Sequence, residues 1–308
     1  MPEIVVTEFM DEAAVAELGR GFALVYDPTL GERPDALLPL LQDARALVVR
    51  NRTQVRGALL VAAPRLEVVG RLGVGLDNID MEACRARGIR VFPATGANDL
   101  SVAEYVITAG FVLLRGAWFA SGAMLEGAWP RNALIGCELA GKTIGLVGFG
   151  SIAREVARRA QALGMVVAGF DPYVPADHPA WQGTSRLDLP ALLGAADVLS
   201  LHVPLTPETR HLIGAAALER MRDGAVLVNA ARGGVVDEPA LAAALRAGRL
   251  GGAALDVFEQ EPLTRDAARI FAGIPNLILT PHLAGVTRES NVRVSAVTAA
   301  NVRRALEG

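Results

Sequence analysis

Two cysteines, Cys84 and Cys137, are too few and too far apart for a disulfide framework, and no C-x-x-C pair offers thiolates to a metal. Both are expected as small core residues. Only four histidines occur, His178, His202, His211 and His282, and no two lie at metal-ligand spacing. Positive charge is not in excess either. A net charge of −3 and a pI near 5.9 argue against a nucleic-acid partner, so a small acidic metabolite would have to be caught by local cations. Long apolar runs are missing: the best, Val106 to Leu114, falls well short of the roughly 20 residues a bilayer span needs. The start, MPEIVVTEFMDE, has no basic stretch of the kind a signal peptide carries, and a cytoplasmic protein without a membrane partner is expected.

What is present is core-forming material. Hydrophobic residues make up 52% of the chain and charged ones 20%, and 308 residues favour two domains over one. Short apolar runs alternate with amphipathic ones. Ile4 to Val6, Ala23 to Tyr26, Ala46 to Val49, Val68 to Gly70 and Arg90 to Phe92 read as strands, with helices near Asp11 to Leu18, Leu59 and Met81 to Arg87. This order predicts a first parallel sheet. Ser101 to Arg115 reads as one long helix, with Val102, Tyr105, Val106, Ala109, Val112 and Leu113 toward a core. Gly116 to Gly141 is irregular, a loop or an oligomer contact, and the tryptophans belong to core or interface. Six further strands, at Thr143, Val166 to Phe170, Val198 to Leu201, Val226 to Val228, Ala253 to Leu255 and Leu277 to Leu279, fit the two halves of a Rossmann sheet. A helix from about Asn291 to Leu306 ends the chain.

The stretch TIGLVGFGSIAREVARRAQALGMVVAGFD, Thr143 to Asp171, holds strand, glycine turn, helix, strand and terminal acid in unbroken order. Gly148, Gly150 and Ala153 form G-x-G-x-x-A: a tight turn, a close approach to a pyrophosphate, and a small residue for helix packing. Ser151 and Ile152 open the helix whose N-terminal amides face that anion. Its apolar face is expected to be Ile152, Val156, Ala157, Ala160 and Leu163. Asp171 suits a ribose diol and would repel a 2′-phosphate, and neither Pro172 nor Tyr173 supplies an arginine, so the cofactor expected is NAD rather than NADP.

In open α/β sheets ligands lie beyond the carboxyl ends of strands. Three such ends carry polar groups: Asn229-Ala230-Ala231-Arg232-Gly233-Gly234, Asp256-Val257-Phe258-Glu259-Gln260-Glu261-Pro262, and Thr280-Pro281-His282-Leu283-Ala284-Gly285. Together with Gly73-Val74-Gly75-Leu76-Asp77-Asn78-Ile79-Asp80, Asn98, Ser101-Val102-Ala103-Glu104 and His202-Val203-Pro204-Leu205-Thr206, they make nearly the whole chain resemble the D-isomer-specific 2-hydroxyacid dehydrogenases. The resemblance implies a flavodoxin-like substrate domain, residues 1–98 plus 286–308, with a Rossmann domain, residues 99–285, inserted into it, a cleft between them, and a homodimer. It also implies roles. Arg232 would bind the substrate carboxylate as a planar fork and polarise the carbonyl. His282 would carry the proton, and Glu261 would orient the imidazole and favour its charged form. Backbone amides of Val74 and Gly75 would complete the carboxylate site, and Asp256 would hold the nicotinamide carboxamide. Gly148, Gly150, Ser151, Ile152, Asp171, His202, Pro204 and Ala230 would line the cofactor, with His202 structural or cofactor-adjacent and His178 and His211 at the surface.

The loop Val49-Arg50-Asn51-Arg52-Thr53 has two cations separated by one residue, which suits an anion at the far end of the substrate. By resemblance to phosphoglycerate dehydrogenases, Arg50, Asn51 and Thr53 are the distal contacts. The expected substrate is a three-carbon 2-hydroxy acid with a terminal phosphate or sulfonate, 3-phosphoglycerate or 3-sulfolactate. At this length a serine-responsive regulatory domain is not expected. Other readings are a glyoxylate/hydroxypyruvate reductase and a nonenzymatic NADH-sensing corepressor. Formate dehydrogenases of the superfamily have glutamine where Glu261 stands, and a methyltransferase would not need Arg232, Glu261 and His282.

Overall fold

Apolar runs of three to five residues, closed off by polar or glycine-rich turns, become parallel strands covered on both faces. In the computed structural model, which describes residues 2–308, they form two sheets. The first holds β1 (Ile4–Val6), β2 (Leu24–Tyr26), β3 (Ala46–Val49), β4 (Val68–Arg71) and β5 (Arg90–Pro93) in the order β2-β1-β3-β4-β5. That is the flavodoxin-like order, with its switch point between β1 and β3. The second holds β6 (Thr143–Val147), β7 (Val166–Phe170), β8 (Ser185–Arg186), β9 (Val198–Leu201), β10 (Val226–Asn229), β11 (Gly252–Leu255) and β12 (Leu277–Leu279), ordered β12-β11-β10-β9-β6-β7-β8. This is the Rossmann order extended by β12, with its switch point between β6 and β9. The sheet has seven strands where six were expected. The addition, β8, is two polar edge residues paired with Ala168 and Gly169, too short to leave any period in the sequence.

The chain divides into two compact units, one ending at Asn98 and resumed by Val286–Gly308, the other Asp99–Gly285. In the first, the C-terminal helix Arg288–Glu307 buries Val294, Ala299, Val302 and Ala305 in the cluster that also contains Ile4, Val48 and Val68. Thr287 starts that helix with a reciprocal cap to Ser290, which satisfies amides the first turn leaves open. In the second, the helix Asp99–Arg115 buries Val102, Val106, Ala109 and Leu113 against the helix Ser151–Ala162, while Val112 stays half-buried. On Ser151–Ala162 the buried stripe is Ala153, Val156, Ala157 and Ala160. Leu163, placed on that stripe from its spacing, is 38% exposed because the helix ends at Ala162. No single helix among the described residues is long and apolar enough to cross a membrane.

The expectation of two small core cysteines needs one correction, while the tryptophans divide between core and surface. Cys84 is buried, but Cys137 is exposed, in the irregular segment after the long helix. Trp181 is buried and stacks on Phe149 at 4.3 Å, whereas Trp118 and Trp129 are exposed on that same segment.

Candidate active site

The glycine turn follows β6. Gly148 has φ +88°, and a Cβ there would lie 2.7 Å from the carbonyl oxygen of His202, so a side chain is excluded both by conformation and by the neighbouring strand end. Asp171, at the end of β7, fixes the turn: one oxygen accepts the N–H of Phe149 at 2.8 Å and the other accepts those of Tyr173 and Val174. The oxygen that accepts Phe149 alone retains acceptor capacity for a hydroxyl. Gly150 begins the helix Ser151–Ala162 without a side-chain cap, and a Cβ on it would enter open space. Uncapped first-turn amides beside a missing side chain make a cradle for a pyrophosphate, so the residues present fit NAD. His202, just past β9, contacts Ser200 Oγ through Nε2 at 3.0 Å. Burial pushes its imidazole down to about 4, so it is neutral at neutral pH and unsuited to carrying the reaction's proton. Pro204 is exposed and Ala230 half-buried on neighbouring strand-end loops.

At the end of β10, the side chain of Asn229, 1% exposed, folds the Arg232 turn. Its Oδ1 accepts the Ala231 N–H at 3.1 Å and its Nδ2 donates to the Arg232 carbonyl at 3.0 Å. The Arg232 guanidinium donates back to the Ala231 carbonyl at 2.6 Å. Gly233 follows because a Cβ there would stand 1.8 Å from the carbonyl oxygen of Phe258, which brings the Arg232 turn against the loop after β11.

That loop starts at Asp256, 1% exposed, which braces the segment after β12. Its carboxylate accepts Thr280 Oγ1 at 2.6 Å and the N–H groups of Leu283 and Ala284, each at 2.8 Å, while its carbonyl accepts the His282 N–H. Tyr105 extends this set through Thr280 Oγ1 at 2.6 Å. A carboxamide contact by Asp256 would therefore add to a carboxylate already serving as a brace. The bracing holds His282 at φ +54°, a left-handed conformation that costs a non-glycine residue about 1–3 kcal/mol unless its surroundings impose it. In that pose His282 Nδ1 lies 2.7 Å from Glu261 Oε2. Burial acts to raise the Glu261 carboxyl, but the bond and charge of His282, the Phe258 N–H and the charge of Arg232 outweigh it and hold it below its usual range. Glu238, buried at the start of the helix Glu238–Arg246, accepts the Glu259 N–H at 2.7 Å and fixes the middle of the same loop. His178 and His211 are exposed, and His211 pairs with Glu259 at 3.0 Å.

In the other unit, β3 runs into Arg50-Asn51-Arg52-Thr53. The side chain of Arg50 donates to Asn291 Oδ1 at 2.9 Å, Asn51 is exposed, and Arg52 pairs with Glu32 at the surface. Thr53, expected to face a ligand, does not: it is 2% exposed and its hydroxyl bonds Thr7 Oγ1 at 2.7 Å. Composition marked the loop as polar but could not give the direction of that side chain. Val74 and Gly75 are half-buried, and among the described residues neither N–H has an acceptor within the chain. Sequence reasoning did not single out Glu8, Asn229, Glu238, Thr280 or Asn291. Asn229 and Thr280 had a visible signal, a polar side chain at a strand end; the others act across distances the sequence does not display.

Residues 107–284 match the family described as D-isomer specific 2-hydroxyacid dehydrogenase, NAD binding domain. The chain is 57% identical over 307 residues to (S)-sulfolactate dehydrogenase of Chromohalobacter salexigens, covering 99% of both. It is 38% identical to D-3-phosphoglycerate dehydrogenase of Archaeoglobus fulgidus, covering 99% of this chain but 58% of that one. A solved D-lactate dehydrogenase of Aquifex aeolicus, complexed with NAD and lactic acid, superposes with a TM-score of 0.85 at 28% identity, covering 99% of this chain and 96% of that one. With fold order, glycine cradle and the His282–Glu261 pair in agreement, the chain belongs to the D-isomer-specific 2-hydroxyacid dehydrogenases, oxidoreductases that use NAD.

Proposed function

We propose that the protein oxidises, or forms by the reverse reaction, a three-carbon 2-hydroxy acid with a distal sulfonate, 3-sulfolactate. The observation that carries the chemistry is the 2.7 Å contact of His282 Nδ1 with Glu261 Oε2. A carboxylate on Nδ1 selects the tautomer with its proton there and leaves the Nε2 lone pair free. Nε2 of His282 then takes the hydroxyl proton during oxidation and returns it during reduction, while Glu261 stabilises the imidazolium. Arg232 grips the C1 carboxylate through two parallel N–H bonds and draws charge from the reacting carbonyl. NAD, when bound, would accept the hydride released from C2. Asp171 would hold the adenosine ribose through the acceptor site its carboxylate has left.

The sulfonate is assigned to Arg50 and Asn51. A guanidinium and an amide offer directed donors to a tetrahedral oxyanion, and the 57% identical relative carries the name of a sulfolactate dehydrogenase. A second reading, 3-phosphoglycerate, keeps the same geometry and is favoured by the 38% identical relative. Initial rates with NAD on (S)-sulfolactate, 3-phosphoglycerate, glycerate and glycolate decide. Preference for sulfolactate supports the proposal, and a preference for glycolate ends the distal-anion assignment.

We also place a second copy of the chain against the segment from Trp118 to Ile135. Trp118, Leu125, Trp129 and Ile135 are 63%, 90%, 77% and 79% exposed, an apolar density that a solitary surface rarely carries. Light scattering at the mass of one chain would refute this homodimer.

A further inference from the structure

Glu8 lies two residues beyond β1, where a carboxylate would ordinarily be a solvated acid, yet it is 4% exposed. Its Oε1 accepts the N–H groups of Arg50 and Thr53, at 2.9 and 3.0 Å. Its Oε2 accepts those of Asn51 and Arg52, at 3.2 and 3.1 Å. Every amide of the loop is thus turned inward onto one side chain. The loop carbonyls of Arg50 and Thr53 are held from the other side by Asn78 Nδ2, at 3.2 and 2.7 Å. Burial acts to raise the Glu8 carboxyl, but the backbone bonds outweigh it and hold it ionised below the usual carboxylate range.

A loop of successive amides after a strand is a natural anion nest. Here the protein's own anion fills it. No backbone donor of residues 50–53 is left for a ligand, so any external anion must be read by side chains. Glu8 also adds a fixed negative charge beneath Arg50, which favours the charged guanidinium against burial, and Asn291 holds that guanidinium at 2.9 Å.

We propose that Glu8 is the positioning residue for substrate specificity: by occupying the amides of the loop, it commits recognition of the substrate's distal anion to the side chains of Arg50 and Asn51. The inference rests on the distal-anion reading above. Glu8→Gln replaces one acceptor oxygen with an N–H2 that faces two amide donors, which turns attraction into repulsion on one side of the nest.

The experiment compares kcat and KM on (S)-sulfolactate and on glycolate, which lacks the distal group, for wild type, Glu8→Gln and Glu8→Asp with saturating NAD. The expected result for Glu8→Gln is a KM for sulfolactate raised by ~10-fold, with kcat and all glycolate parameters within ~2-fold of wild type. Glu8→Asp, which keeps the charge on a shorter arm, should fall between them. If Glu8→Gln does not accumulate folded, Glu8→Asp gives the same reading through its sulfolactate-to-glycolate ratio. An unchanged ratio, or equal losses on both substrates, overturns the role of Glu8. A wild type that prefers glycolate instead overturns the distal-anion reading itself, and so the two failures are distinguishable.

Discussion

Glu8 follows β1 in one unit and Asp256 follows β11 in the other, and both are buried acids whose oxygens collect donors from a segment far along the chain. Glu8 takes the amides of residues 50–53, and Asp256 takes two amides and a hydroxyl from residues 280–284. Hydrogen bonds to a charged group contribute about 1.5–3 kcal/mol each, so four of them can hold the Glu8 carboxylate ionised against a burial penalty of several kcal/mol. The device is shared and the output differs. Around Asp256 the braced segment presents an exposed imidazole already paired with a carboxylate, which can exchange a proton. Around Glu8 it presents arginines, whose guanidiniums stay charged even where a carboxylate such as Glu32 pairs with them, so they can bind but not transfer. A buried acid at a strand end is therefore a way to aim side chains, and what is aimed decides whether the loop performs chemistry or recognition.

The largest break in the comparison should come from His282. His282→Asn removes the proposed proton carrier while leaving the glycine cradle intact, so turnover should fall by ~10²-fold or more with the NADH dissociation constant nearly unchanged. Steady-state rates and NADH fluorescence titration check both halves, and an unchanged turnover number would separate His282 from the chemistry. A smaller effect is expected at Asp171. Asp171→Ala removes the acceptor proposed for the ribose together with a brace on the Phe149 amide, so NADH affinity should weaken by ~10-fold and discrimination against NADPH should relax. An unaltered NADH/NADPH ratio would count against the ribose role.

The smallest effect is in acid stability. The lowered His202 means that the unfolded chain takes up a proton near 6.5 while the folded chain resists until about 4, so stability declines as pH falls through that interval. Glu8 and Glu261 are also lowered: their contribution is full above the unfolded carboxylate value of about 4.3 and is lost as pH falls through their folded values. Glu238, raised by burial, works in the opposite sense. Thermal melts from neutral pH downward should show His202→Gln flattening the upper part of the decline and Glu8→Gln the lower part. Identical pH slopes in wild type and both variants would contradict these assignments.

Much of this organisation was legible in the sequence, for reasons that also explain the gaps. Parallel strands covered on both faces leave continuous apolar runs, which is why β3, β9 and β10 stand out, while β8, two polar residues at an edge, leaves none. Arg232, Glu261 and His282 stood out because polar residues just beyond strand ends are the candidates in such sheets, and the structure brings His282 and Glu261 to 2.7 Å. Glu8 could not, because its partners lie 42 or more residues away and nothing local separates it from a surface acid. Thr53 was misjudged for the same reason in reverse: a hydroxyl in a polar loop gives no sign that it points into the core.

The central claim is that one loop binds and the other transfers protons. It is tested most directly by saturation kinetics of Glu8→Gln and Glu261→Gln on the same distal-anion substrate with saturating NAD. KM is expected to move in Glu8→Gln with kcat retained, and kcat to fall in Glu261→Gln with KM retained. Movement of the same parameter in both variants would contradict it.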